Sequence, residues 1–204
     1  MGTTRKIGIF GGTFDPIHVG HLVTAEAVRI EYDLEKVLFI PAANPPHKQG
    51  QLVTPATHRY IMTVMATYSN PHFYVSAMEM ERPGPSYTID TVRELVGEHG
   101  ASADFYFITG ADAVADLPNW NDVDDLLDLC HFVATTRPGC VSAIDDVIRQ
   151  LGPKSAARIH RIDTPELEIS STDIRERVKQ GRSIKYIVPE SVESYIAKEG
   201  LYRN

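Results

Sequence analysis

Six short apolar runs, each followed by a stretch with helical periodicity, set the tightest limit on what this chain can fold into. The first, Ile7-Gly8-Ile9-Phe10, ends at Gly11-Gly12, and Leu22, Ala25, Val28 and Tyr32 then recur at near-helical spacing from about Gly20. Further runs fall at Val37–Ile40, Phe73–Met80, Phe105–Ile108, Phe132–Thr135 and Arg158–Ile162. Between them Ile61, Val64, Met65 and Tyr68 mark one helix, and Ile89, Val92 and Val96 mark another that starts near Ser86. Helices are also expected over 121–129, 142–151, 172–179 and 189–198. Strands of four to eight apolar residues alternating with helices predict an α/β fold, Rossmann-like and doubly wound. Its mostly parallel sheet would have helices on both faces, with two C-terminal helices closing the chain. No linker or repeat divides residues 1–204, so one domain is expected.

In such a sheet, ligands bind beyond the carboxyl ends of the strands. The unusual polar segments of this sequence fall there: GGTF after the first strand, PPHK after the second, GAD after the fourth, RPG after the fifth and ISST after the sixth. At the first junction His18 and His21 stand three apart at a helix entrance. Unpaired N–H groups and the helix macrodipole favour an anion there, so strand, glycines and histidine pair together suggest a polyphosphate site.

A net charge of −7 argues against general nucleic-acid binding, so any positive potential must be local. No long apolar run or signal-like segment points to a membrane or to export, and Cys130 and Cys140 form no metal array, so a reduced cytoplasmic protein is expected. A dinucleotide-binding oxidoreductase would show GxGxxG and an acid ending the second strand, whereas here Phe39-Ile40-Pro41-Ala42 carries none. The chain has no Gly-Lys dipeptide and therefore no P-loop. The His18–His21 pair has no evident third zinc ligand, and no resident metal is expected.

The sequence resembles the nucleotidyltransferase superfamily with the HxGH signature, here His18-Val19-Gly20-His21 within GGTFDPIHVGH, with a second signature at Ile169–Arg175. Within it, the chain is similar to the bacterial nicotinate-nucleotide adenylyltransferase family. PPHK at 45–48, SYTIDT at 86–91, GADA at 110–113, Trp120, HFV at 131–133, RPG at 137–139 and Pro165-Glu166-Leu167 carry that match. The resemblance spans essentially the whole chain and implies ATP and nicotinic acid mononucleotide as small-molecule substrates. Nicotinic acid adenine dinucleotide and pyrophosphate would be the products, with Mg²⁺ carried on the ATP phosphates.

By resemblance, His18, His21, Lys48 and Arg175 would serve the transferring phosphates. Gly11, Gly12, Thr13, Phe14, Gly110, Asp112, Ile169, Ser170, Ser171 and Thr172 would hold ATP. Asp15, Thr88, Trp120 and Arg137 would hold the mononucleotide. Each has a plainer alternative: His21, Asp112, Ser171 and Thr172 as helix caps, Lys48 as a surface lysine, Trp120 as core. Other acceptors, phosphopantetheine or flavin mononucleotide, stay open, as do a non-catalytic nucleotide sensor and association into a homo-oligomer.

Overall fold

The computed structural model describes residues 4–48, 50, 52–136, 141–165 and 167–203. Its sheet has six parallel strands: β1 Arg5–Gly12, β2 Lys36–Pro41, β3 Phe73–Val75, β4 Ala103–Gly110, β5 Cys130–Thr136 and β6 Ile159–Asp163. They stand in the order β3-β2-β1-β4-β5-β6, so the chain reverses its direction of travel between β1 and β4. That reversal is the switch point at which open α/β sheets leave a crevice. The helices are α1 Val19–Glu31, α2 Ala56–Thr67, α3 Met78–Glu81, α4 Thr88–His99, α5 Ala111–Ala115, α6 Val123–Leu129, α7 Val141–Leu151, α8 Pro153–Arg158, α9 Ser171–Lys179 and α10 Glu190–Glu199. Among the described residues no helix is long and apolar enough to cross a membrane.

The period-two alternation of strand side chains splits the core between the two faces. Ile7, Ile9, Phe105, Phe107, Phe132 and Ala134 join Val92, Leu126 and Ile144 on one face. Phe10, Tyr106, Ile108 and Val133 join Val28, Met62, Ile174 and Val192 on the other. Gly8 belongs to this second face, where a Cβ would lie 3.0 Å from Leu34, 3.1 Å from Val37 and 3.3 Å from Ile108.

Two local expectations fail. The run Phe73–Met80 is strand only to Val75, and Met78–Glu81 turns into helix α3, with the Met78 N–H donating to Ser76 Oγ at 3.3 Å. In α2 the marker residues Val64, Met65 and Tyr68 face outward. Arg59, Met62, Thr63, Ala66 and Thr67 are the buried side. Thr63 and Thr67 enter the core because each hydroxyl donates to the carbonyl four residues back, at 2.7 and 2.9 Å.

A polar chain crosses the starts of β4, β5 and β6. Arg158 Nη1 lies 2.9 Å from His131 Nε2, and His131 Nδ1 lies 2.8 Å from His160 Nε2. Guanidinium only donates, so His131 accepts at Nε2 and donates from Nδ1. Its ring stacks on Tyr106 at 4.8 Å. Burial first, then Arg158 and His160, push His131 down to about 4, against the opposing pull of Asp104.

Two outcomes are expected. Gly8→Val overfills the Leu34–Val37–Ile108 contact and lowers stability by about 1–3 kcal/mol in urea unfolding. Because His131 binds its proton less readily folded than unfolded, its contribution is fully present above pH 6.5 and is lost as pH falls toward 4. His131→Gln should flatten the fall of the urea midpoint across that window. The ceiling is about 1.4 kcal/mol per pH unit for one proton, reduced here because the ring is partly exposed.

Candidate active site

β1 runs on through Gly11 and Gly12, which pair with Ile40 and Pro41. Lack of a side chain matters at both: a Cβ on Gly11 would lie 3.2 Å from Phe107, and one on Gly12 would lie 2.9 Å from Phe14. The left-handed residue of the turn is Phe14, at φ 48°. Such a conformation costs on the order of 1–3 kcal/mol and persists only where surrounding contacts hold it.

Those contacts come from distant parts of the chain. Arg59, only 1 % exposed, donates to the carbonyls of Thr13 (2.7 Å), Thr54 (2.7 Å) and Ala43 (3.3 Å). Asp15 is buried, and its carboxylate accepts from the Tyr202 hydroxyl at 2.7 Å and the Thr54 N–H at 3.2 Å. Arg175 Nη1 donates to the Asp15 carbonyl at 2.7 Å, and Ser171 Oγ donates to the Pro16 carbonyl at 2.9 Å. The Asp15 side chain is thus occupied by protein donors. Burial and the Asp15 carboxylate raise the Tyr202 phenol, keeping it a donor.

Beyond this turn His18 is the N-cap of α1. The His18 N–H donates to His21 Nδ1 at 3.1 Å, so neutral His21 carries its proton on Nε2. That Nε2–H has no hydrogen-bond partner among the described residues. The two rings stack at 3.7 Å, and Phe14 meets His21 edge-on at 5.2 Å. Gly20 makes room for the stack, because a Cβ there would lie 3.0 Å from His18 Nδ1. Burial lowers His18 to about 4, and burial with the neighbouring His18 holds His21 well below 6.5. Both rings are therefore neutral donors at physiological pH. His18 Nδ1 is buried and has no hydrogen-bond partner among the described residues.

α9 begins beside this junction. Ser170 caps it, accepting from the Asp173 N–H at 3.1 Å. Arg175 lies in the second turn, and its Nη2 reaches back to Thr172 Oγ1 at 3.2 Å. Ile169 packs with the second-face core near Gly20. Lys48 ends a short 3₁₀ turn and lines a hollow of about 260 Å³ with Thr54 and Arg59. Burial, followed by Arg175, lowers its affinity for a proton.

A larger cavity of about 640 Å³ opens at the switch point and shares Pro45 with that hollow. Gly11, Gly12, Thr13, Thr88, Asp112 and Trp120 all line it. Trp120 packs edge-on against Phe107 (5.9 Å) and Phe132 (6.1 Å), so it is both core and cavity wall. The N-terminus of α4 at Thr88 carries no side-chain cap. Gly110 is the N-cap of α5, and Asp112 lies within that helix. Arg137 and the rest of RPG lie outside the described residues. Sequence reasoning missed Arg59, which looks like a surface arginine in a helix, and Glu79, hidden in the run read as strand.

The cytidylyltransferase-like family matches residues 9–177. A Thermoanaerobacter sp. (strain X514) protein named "Probable nicotinate-nucleotide adenylyltransferase" is 54% identical over 199 residues, covering 97% of this chain and 94% of its own. One of the same name from Moorella thermoacetica is 55% identical over 199 residues, covering 97% and 92%. The fold matches the Plasmodium falciparum nicotinic acid mononucleotide adenylyltransferase complexed with NaAD, with a TM-score of 0.77, 20% identity and 97% of each chain covered. The chain belongs to the cytidylyltransferase-like nucleotidyltransferases and, among them, to the nicotinate-nucleotide adenylyltransferase family.

Proposed function

We propose that this chain transfers the adenylyl group of ATP to nicotinic acid mononucleotide. The observation that carries the reading is the juxtaposition of two compartments at one switch point. One is the histidine pair at the start of α1, next to the Thr13–Pro16 turn that Arg175 and Ser171 bond to; the other is the cavity lined by Gly12, Thr13, Thr88, Asp112 and Trp120.

In the reaction an oxygen of the acceptor's 5′-phosphate forms a bond to the α-phosphorus of ATP. The bond from that phosphorus to the α–β bridging oxygen breaks, and its electron pair leaves with pyrophosphate. The attacking phosphate is already anionic, so the step needs no strong base and no enzyme nucleophile. What it needs is alignment and donors aimed at charge gathering on the phosphates. His21 Nε2–H and the His18 imidazole supply uncharged donors, and Lys48 and Arg175 supply charge. Ser170 to Thr172, with Phe14 and Ile169, shape the nucleotide side, and Gly110 sets the start of the helix that presents Asp112 to a ribose. Asp15 acts by fixing the turn, and Arg137 remains assigned to the mononucleotide by the family resemblance. Nucleotidyltransferases generally use a divalent metal. We take that metal to be Mg²⁺ carried on the ATP phosphates, because magnesium is often held mainly by substrate oxygens.

At the acceptor end, the uncapped N-terminus of α4 offers backbone N–H groups to a carboxylate, and the Trp120 indole offers a face to the ring. The same N-terminus gives an amide's NH₂ group no acceptor, which favours the acid over the amide.

Pyrophosphate release with ATP-Mg²⁺ should be strong with nicotinic acid mononucleotide and weak with its amide, phosphopantetheine or flavin mononucleotide. Preference for one of the latter two would overturn the acceptor assignment, and ATP binding without turnover on any of the four would point to a sensor. His21→Ala is expected to lower kcat by roughly 10²–10³ while the far-ultraviolet spectrum is retained.

A further inference from the structure

Of the carboxylates that line the cavity, Asp112 and Asp116 are exposed and Glu79 is buried. Glu79, in α3, is 7 % exposed and lines the same cavity as Trp120 and Thr88. Its Oε1 accepts from Thr91 Oγ1 at 2.7 Å. Thr91 Oγ1 accepts in turn from Arg82 Nη2 at 3.1 Å, and Arg82 is paired with Glu94 at 3.1 Å. Glu79 Oε2 is buried with no hydrogen-bond partner among the described residues. Buried carboxylate oxygens are almost always satisfied, so this side chain holds an oxygen that no hydrogen bond offsets; that oxygen is sealed from the cavity, and Glu79 acts on a ligand there through its field.

The chemistry of that complement follows from the surrounding walls. Ile9, Phe107, Leu126 and Trp120 are apolar and suit a flat ring. The acceptor proposed above, on which this inference rests, has a zwitterionic ring. Its quaternary pyridinium nitrogen is positive and bears no hydrogen, while its carboxylate is negative. Such a cation has no hydrogen to donate, but it gains from the field of a nearby carboxylate and from the face of an indole. The cavity offers charges in the matching order. The positive end of α4 is at Thr88, and the carboxylate bonded to Thr91 of the same helix lies one turn further on. We infer that Glu79 is a specificity-determining residue that reads the positive charge of the pyridinium ring and orients the zwitterion with its carboxylate toward the start of α4.

The test compares two acceptors: nicotinic acid mononucleotide and its C-riboside isostere, in which carbon replaces the ring nitrogen and the ring is neutral. Both keep the carboxylate, ribose and phosphate. The ratio of kcat/KM for the two, measured in competition, does not depend on how much enzyme is folded. Glu79→Gln keeps an oxygen for the Thr91 hydroxyl and removes the charge. The ratio should fall about tenfold in favour of the neutral ring, with KM for ATP unchanged. Glu79→Asp, which retains the charge, should restore most of the preference. A wild-type enzyme that uses the pyridinium acceptor while Glu79→Gln keeps the same ratio would overturn this inference alone. A wild-type enzyme that uses neither acceptor would overturn the acceptor assignment and this inference with it.

Discussion

The turn from Thr13 to Pro16 holds the site together. It leaves the central strand in a conformation that a phenylalanine adopts at a cost, and groups from four other parts of the chain bond to it. Three of these bonds involve a charged guanidinium or carboxylate with a backbone group, each contributing about 1.5–3 kcal/mol where neutral bonds contribute about 0.5–1.5. Their sum comfortably exceeds the strain at Phe14. The carbonyls of Thr13, Asp15 and Pro16 point to Arg59, Arg175 and Ser171, so the turn is clamped from the α2 side and from the α9 side together. The histidine pair begins two residues later and inherits that rigidity.

The electrostatic arrangement separates charge from hydrogen-bond donation. A chain with net charge −7 gathers Lys48, Arg59 and Arg175 around Asp15, whose oxygens are already filled, and Glu79 also lies within electrostatic range of Arg59. Three cationic side chains thus stand together in one region of a molecule that is acidic as a whole. His18 and His21 add donors without adding charge, because desolvation keeps them neutral. Donors fixed in a low-dielectric pocket need no reorganisation when negative charge shifts between phosphate oxygens.

The sheet was legible because its signals are local. Apolar runs of strand length bounded by Gly or Pro, each followed by a helical stripe, fix strand number and parallel pairing, and the structure moves most boundaries by only a residue or two. The phase of α2 was not legible, because its buried face contains an arginine and two threonines. The threonines are satisfied by carbonyls of their own helix, and the arginine by carbonyls of Thr13 and Ala43 that only the folded chain brings near, so a rule that equates burial with apolar character selects the wrong side. Glu79 was missed for a related reason. Ser76 and Ala77 redirect the chain after a three-residue strand, a turn without Gly or Pro to announce it. The histidines and glycines stood out as a group in the sequence, and the fold supplies the steric reason for the glycines: Gly11, Gly12 and Gly20 avoid collisions with rings, and none of them has a positive φ.

The bonds that clamp the Thr13–Pro16 turn span sequence separations of 39, 46, 155, 160 and 187 positions. Closing such loops costs entropy that only a largely completed sheet can offset. Strands and helices can form early and locally, but the geometry around the histidine pair exists only once remote segments have met. Competence to hold a nucleotide is thus a late event in folding, and nucleotide binding stabilises the whole chain and not a detachable part of it.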